Sequence, residues 1–269
     1  MTAATSFCRL WLGTGPWETE KRPTIPTLND EPVLVEQIDA EISRVLDGGD
    51  FAIWYLPVFD FAAWLTGSRR AMGLEALARF PDGLSPADVF RRATATGQSL
   101  ALELTAMKRA IGDLPRIDPD LYLSLNASLP TVMSAGFYQL IEQTQPDRIV
   151  VEIPAQQVTE AGAHTVDSLQ PVTEWGIRLA IDDTLASVDG MYPLLLAHPQ
   201  FIKIDTAVIR GIDQDPARQR IVDTMGRLAA TIDADLVAEG VHNEGLVALL
   251  TDLKVPFGQG FGLSQPQAI

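Results

Sequence analysis

The 269-residue chain has one cysteine, Cys8, and three histidines. A lone cysteine excludes an internal disulfide and a zinc site built on thiolates, and it suits a reducing cytosol. No apolar run approaches the roughly 18–20 residues that a membrane span requires. Met1 to Trp17 carry neither a basic stretch nor an unbroken apolar one, so no secretory signal is expected. Positive charge is also scarce: 20 Lys and Arg stand against 35 Asp and Glu, a formal net charge of −15. Affinity for a nucleic-acid polymer or an anionic membrane comes from Lys and Arg, so neither partner is expected. A small phosphate-bearing ligand stays compatible, provided the acids hold metal ions instead of facing phosphate directly.

Apolar residues make up 46% of the chain, enough for a large buried core and too many for a disordered one. Residues 1–33 read as a proline-rich N-terminal arm, with Pro16, Pro23, Pro26 and Pro32 breaking regular structure. The domain is expected over 34–269. Its first helix follows from the apolar spacing of Val33–Leu46. Eight strand-like runs come next, at 51–59, 72–80, 120–128, 149–154, 178–184, 201–205, 235–241 and 257–263. Helix-patterned segments fill most later gaps: Pro86–Ile111, Leu129–Gln143, Val166–Trp175, Asp215–Ile232 and Asn243–Leu253. Such alternation predicts an α/β fold with parallel strands, a TIM-type (β/α)8 barrel. The link from Phe59 to Met72 is too short for a confident crossover helix, so the first strand is expected to run antiparallel.

Polar residues interrupt these apolar runs in a pattern. Glu75, Asn126, Glu152, Asp182, Asp183, Lys203, Glu239 and Gln259 fall within or at the ends of strands, where a barrel of this kind gathers its site. Singly, each has a plainer role as a cap, a salt bridge or an edge charge. Together, five carboxylates against one lysine leave an excess charge of −4, which divalent cations neutralise. Oxygen donors without sulfur suit Mg²⁺ or Mn²⁺. The neighbours Asp182 and Asp183 could let one acid bridge two ions, the layout of two-metal phosphate-ester hydrolysis.

The same residues carry a resemblance. Gly73–Phe80 (GLEALARF) is similar to the signature of EAL-domain cyclic-di-GMP phosphodiesterases. The likeness continues through Leu125–Ser128 (LNAS), Glu152-Ile153, Ile181–Asp183 (IDD), Lys203–Asp205 (KID), Ala238–Val241 (AEGV) and Gln259–Phe261 (QGF). Seven ordered blocks make this specific. The resemblance implies a modified barrel with an antiparallel strand that hydrolyses cyclic di-GMP to linear pGpG with two Mg²⁺ or Mn²⁺ ions. It implies Glu75, Asn126, Glu152 and Asp182 as ligands of one ion, and Asp182 with Asp183 as ligands of the second. Glu239 would complete that second shell or bind its water, and Lys203 would orient and help deprotonate the attacking water. Arg79 would contact substrate phosphate, and Gln259 would lie near the water and the substrate.

Departures from the family pattern are equally specific. Ala155 stands where the family has a second acid that braces the loop after the fifth strand. That loop reads Thr184-Leu185-Ala186-Ser187 in place of F-G-x-G-type residues, Leu56 replaces a glutamine, and His242 replaces a glutamate. These changes favour an alternative function as a weak or inactive EAL domain that serves as a cyclic-di-GMP receptor or protein-docking module. The family's dimer surface lies beside the altered loop, so a homodimer and a separate regulatory protein both stay open.

Overall fold

The computed structural model describes residues 32–49, 51–162, 164–184 and 197–269. Residues 1–31 of the proline-rich arm and the loop residues Leu185–Ser187 lie outside the described residues, whereas Pro32 and Val33, expected in the arm, belong to the first helix, whose opening turn tolerates a proline. Helix α1 (Pro32–Leu46) opens the domain, with Ile38, Ile42 and Val45 buried on one stripe at helical spacing. Strand β1 (Ala52–Asp60) follows, then the single-turn α2 (Phe61–Leu65) and β2 (Ala71–Arg79). Asp60 caps α2 by accepting from the Ala63 N–H at 3.1 Å. This short turn reverses the chain, so β1 pairs antiparallel with β2, as the link length predicts.

Helices α3 (Pro86–Ala95) and α4 (Ser99–Gly112) lead to β3 (Tyr122–Asn126), and α5 (Leu129–Val132) and α6 (Ala135–Ile141) lead to β4 (Ile149–Pro154). Next come α7 (Ala155–Ala161), α8 (His164–Glu174) and β5 (Arg178–Thr184). Then follow β6 (Phe201–Ile204), α9 (Thr206–Ile209), α10 (Pro216–Thr231), β7 (Asp235–Ala238), α11 (Leu246–Asp252) and β8 (Phe257–Gly258). The eight strands close into a barrel in sequence order. Pairings β2 through β8 are parallel, and β1 is antiparallel to both of its neighbours, β2 and β8.

Two expected helices each divide. The segment 86–111 breaks at Gly97, whose φ of 73° no helix can carry. The segment 129–143 breaks at Ser134, whose hydroxyl caps the second helix by accepting from the Phe137 N–H at 3.2 Å. The last strand is shorter than the run 257–263, so Gln259 lies just beyond it.

Two layers of apolar packing hold the barrel. One lies between strands and helices, where Tyr55 donates its hydroxyl to Asp113 Oδ2 at 2.9 Å and ties β1 to the end of α4. The other fills the interior with Val58, Tyr122, Val150, Ala180, Phe201 and Val237. The Arg178 guanidinium lies over the rings of Tyr122 and Phe201, at 5.0 and 5.9 Å. This plug leaves the opposite, C-terminal end for chemistry. Gly73 faces Tyr122 across the β2–β3 pairing, and a Cβ there would lie 2.2 Å from the ring. Gly73→Ala should therefore cost about 1–3 kcal/mol through overpacking. A calorimetric scan should show Tm lower by roughly 3–10 °C; an unchanged Tm would mean that the plug yields freely.

Candidate active site

Side chains alternate across a strand, so one inward-facing position fixes the rest. On β2 the inward set is Gly73, Glu75, Leu77 and Arg79. On β3 it is Tyr122, Ser124 and Asn126, and on β6 it is Phe201 and Lys203, with Asp205 following on. One step above the plug, each parallel strand then contributes a polar group. Glu75, Ser124, Asn126, Glu152, Asp182, Lys203 and Gln259 are all buried there, and Glu239 is the most open of the carboxylates around Lys203, with its side chain 18% exposed.

Lys203 sits at the centre of this ring. Its Nζ lies 2.6 Å from Glu152 Oε2, 2.8 Å from Glu239 Oε1, 3.4 Å from Glu75 Oε2 and 3.8 Å from Asp182 Oδ1. Asn126 Nδ2 donates to Glu75 Oε1 at 3.0 Å, and Gln259 Nε2 donates to Glu75 Oε2 at 2.5 Å and to Glu239 Oε1 at 3.1 Å. The Asp183 N–H donates to Asp182 Oδ1 at 2.8 Å. A positive φ of 53° at Asp183 turns its carboxylate away from plain strand alternation. Oxygens of Asp182, Asp183 and Glu239 lie within 4.8 Å of one another. Every residue singled out from the sequence thus reaches this end of the barrel. Arg79 stands on its rim, with Nη1 donating to Ala78 O at 2.9 Å. His242, like His164 and His198, is exposed.

Two members were missed by the sequence reading. Ser124 donates its hydroxyl to Glu152 Oε1 at 2.5 Å, and Asp205 is buried beside Asp183, to which it is hydrogen-bonded. Period-2 spacing would have found both, since Ser124 lies two residues before Asn126 and Asp205 two after Lys203. Asp205 also caps α9, accepting from the Ala207 N–H at 2.5 Å. The loop after Asn126 is anchored from two sides. Glu103 of α4 accepts from the Ser128 N–H and Oγ at 2.8 and 2.9 Å, and Gln157 of α7 accepts from the Leu129 N–H at 2.6 Å.

The ring fits hard cations. Among the described residues, three buried side-chain oxygens in it lack a hydrogen-bond partner: Asn126 Oδ1, Asp183 Oδ2 and Gln259 Oε1. Such orphans cost free energy unless something electropositive meets them. Burial, together with the charge of Glu75, pushes Glu152 up to about 8, and burial with the charge of Asp182 pushes Asp183 up to about 8. Asp182 and Glu239 are raised too, first by burial. Burial alone would lower Lys203, but Asp182, Glu152, Glu239 and Glu75 more than offset it and hold the ammonium well above its usual range.

A sign follows for pH. Carboxyls that titrate near 8 when folded keep protons that the unfolded chain releases near pH 4. Their contribution to stability is therefore present at low pH and is lost as pH rises towards 8. Divalent cations compete with those protons. Mn²⁺ is expected to raise Tm more at pH 8 than at pH 6 in a thermal-shift titration. Equal shifts at the two pH values would show that these acids are not where the cation binds.

A sequence profile of the EAL domain matches residues 39–266. Cyclic di-GMP phosphodiesterase PdeL of Escherichia coli (strain K12) is 28% identical over 243 residues, covering 84% of this chain and 65% of that protein. The chain spans 46%, 36% and 39% of the length of other curated relatives it matches, about half or less. Among solved structures, the FimX EAL domain of Xanthomonas citri in complex with c-diGMP superposes with a TM-score of 0.78 at 16% identity, covering 87% of this chain and 95% of that one. The manganese/cy-diGMP complex of Klebsiella pneumoniae BlrP1 superposes with a TM-score of 0.71 at 25% identity, covering 82% and 57%.

Proposed function

The chain belongs to the EAL-domain family, and from that membership and the acidic ring we propose that it hydrolyses cyclic di-GMP to linear pGpG with divalent cations. The observation that carries this reading is the set of partnerless buried oxygens, on Asn126, Asp183 and Gln259, within a ring whose carboxylates outnumber its one cation. Glu75, Asn126, Glu152 and Asp182 would hold one ion, and Asp182 with Asp183 a second, with Glu239 beside it. Bound Mg²⁺ or Mn²⁺ supplies Lewis acidity towards the attacking water and the phosphate oxygens.

The chain's own groups do the rest. Lys203 is an ammonium and therefore a donor, not a base. It orients the attacking water and lowers its pKa by charge, which refines the expectation that it helps deprotonate that water. The proton passes to a carboxylate of the ring. Arg79 meets a phosphate oxygen at the rim, where a planar guanidinium suits two oxygens. Gln259 holds Glu75 and Glu239 in place with one amide and offers its carbonyl to the site.

The deciding experiment incubates purified protein with cyclic di-GMP and Mn²⁺ or Mg²⁺ and separates products by chromatography. Formation of pGpG is expected. No product at high protein concentration, with cyclic di-GMP still bound in Ca²⁺, would favour the receptor reading that Ala155 suggests. Absence of nucleotide binding as well would leave the docking reading.

A further inference from the structure

The mouth has two unlike walls. One is acidic, formed by Asp182, Asp183 and Glu239. The other, built by β1 and β2, is apolar and ends in an aromatic ring. Register pairs Leu56 with Glu75 and Trp54 with Leu77, so Trp54, Leu56 and Leu77 face inward with Glu75. Leu56 and Leu77 are buried, at 6% and 3% exposed, whereas Trp54 is 41% exposed although it shares their face. Tyr55, on the opposite face, is covered by α4. The Arg79 guanidinium lies over the Trp54 ring, 5.6 Å from its centroid, and among the described residues only its Nη1 is hydrogen-bonded, to Ala78 O.

An indole 41% exposed at the mouth, with a guanidinium over it that keeps donors to spare among the described residues, matches a nucleotide. The base stacks on the ring, and the phosphate attached to its sugar reaches the guanidinium. The ester can then extend towards the acidic wall, where cations meet it. We propose that Trp54 is a base-stacking shelf, and that it makes this mouth select a nucleotide over other phosphate esters. The inference rests on the phosphodiesterase reading for the direction in which the ester lies, but the shelf itself needs only a purine and a phosphate.

Stacking on one aromatic ring is worth about tenfold or more in affinity. The test measures binding of cyclic di-GMP in Ca²⁺, and of GMP and ribose 5-phosphate, by calorimetry on the wild-type chain, Trp54→Ala and Trp54→Phe. The wild type should bind GMP more tightly than ribose 5-phosphate. Trp54→Ala should lose about tenfold in cyclic di-GMP affinity and bring the two monophosphates close together, and Trp54→Phe should restore most of both. A melting scan of each variant checks that the barrel is intact. Unchanged affinities in a folded Trp54→Ala, or a wild type blind to the base, would overturn the shelf. If GMP discrimination depends on Trp54 but cyclic di-GMP neither binds nor turns over, the shelf stands and the phosphodiesterase reading falls. If turnover persists without any effect at Trp54, the reverse holds.

Discussion

Glu75→Ala is expected to lower the proposed pGpG formation by about a thousandfold or more, the rate equivalent of losing several kcal/mol of charge stabilisation. Glu75 accepts from Asn126 Nδ2 and Gln259 Nε2 and stands 3.4 Å from Lys203, so it fixes three other members of the ring. The fold should survive the change. Removing one of several crowded carboxylates relieves repulsion, so the ion-free Tm at pH 8 should hold or rise. Glu75→Gln preserves shape and an acceptor for Asn126, and it should be about as inactive, which isolates the charge as the cause. Turnover measured with saturating Mn²⁺ gives the answer. Retained activity in a folded Glu75→Ala would move the site elsewhere.

Lys203→Met should act on stability as well as on turnover. The ammonium is buried and contacts four carboxylates, so its removal leaves those charges facing one another. Breaking a buried pair in this way costs about 3–5 kcal/mol, or roughly 6–20 °C in Tm for a domain of this size. The loss should be largest at pH 8 without divalent ions. It should shrink at pH 6, where Glu152 and Asp183 are protonated, and shrink again when Mn²⁺ replaces the missing charge. Activity should not return with Mn²⁺, because no ammonium then orients the water. An ion-free Tm at pH 8 equal to that of the wild type would show that Lys203 does not hold the ring together.

Much of this was legible along the chain. The strand count follows from the apolar runs, and the reversal of β1 follows from a link that has room only for the single turn Phe61–Leu65. The acids were visible because each interrupts an apolar run where nothing local needs a charge. Ser124 was not visible in that way, since a hydroxyl in a strand is ordinary until Glu152 is found 2.5 Å away. Asp205 appeared only as the end of the KID block, and its two roles, capping α9 and meeting Asp183, show only in the folded chain. Helix lengths were overestimated, because Gly97 and Ser134 break two segments whose apolar spacing continues past the break.

By itself, then, the sequence determined most of the groups at the mouth, all but Ser124 and Asp205, and their order around the barrel follows once the strands pair in sequence. Only the tertiary structure decided heights and partners. The register places Glu75 beside Ser124 and Asn126 beside Glu152, a stagger that no single strand encodes. That stagger gives Lys203 to Glu152 and Glu239 and leaves Asn126 Oδ1, Asp183 Oδ2 and Gln259 Oε1 without partners. It also leaves Trp54 open at the rim. The physical reason is closure: a barrel must tilt and shear its strands to seal its edge, and that shear sets which side chains arrive at the same level.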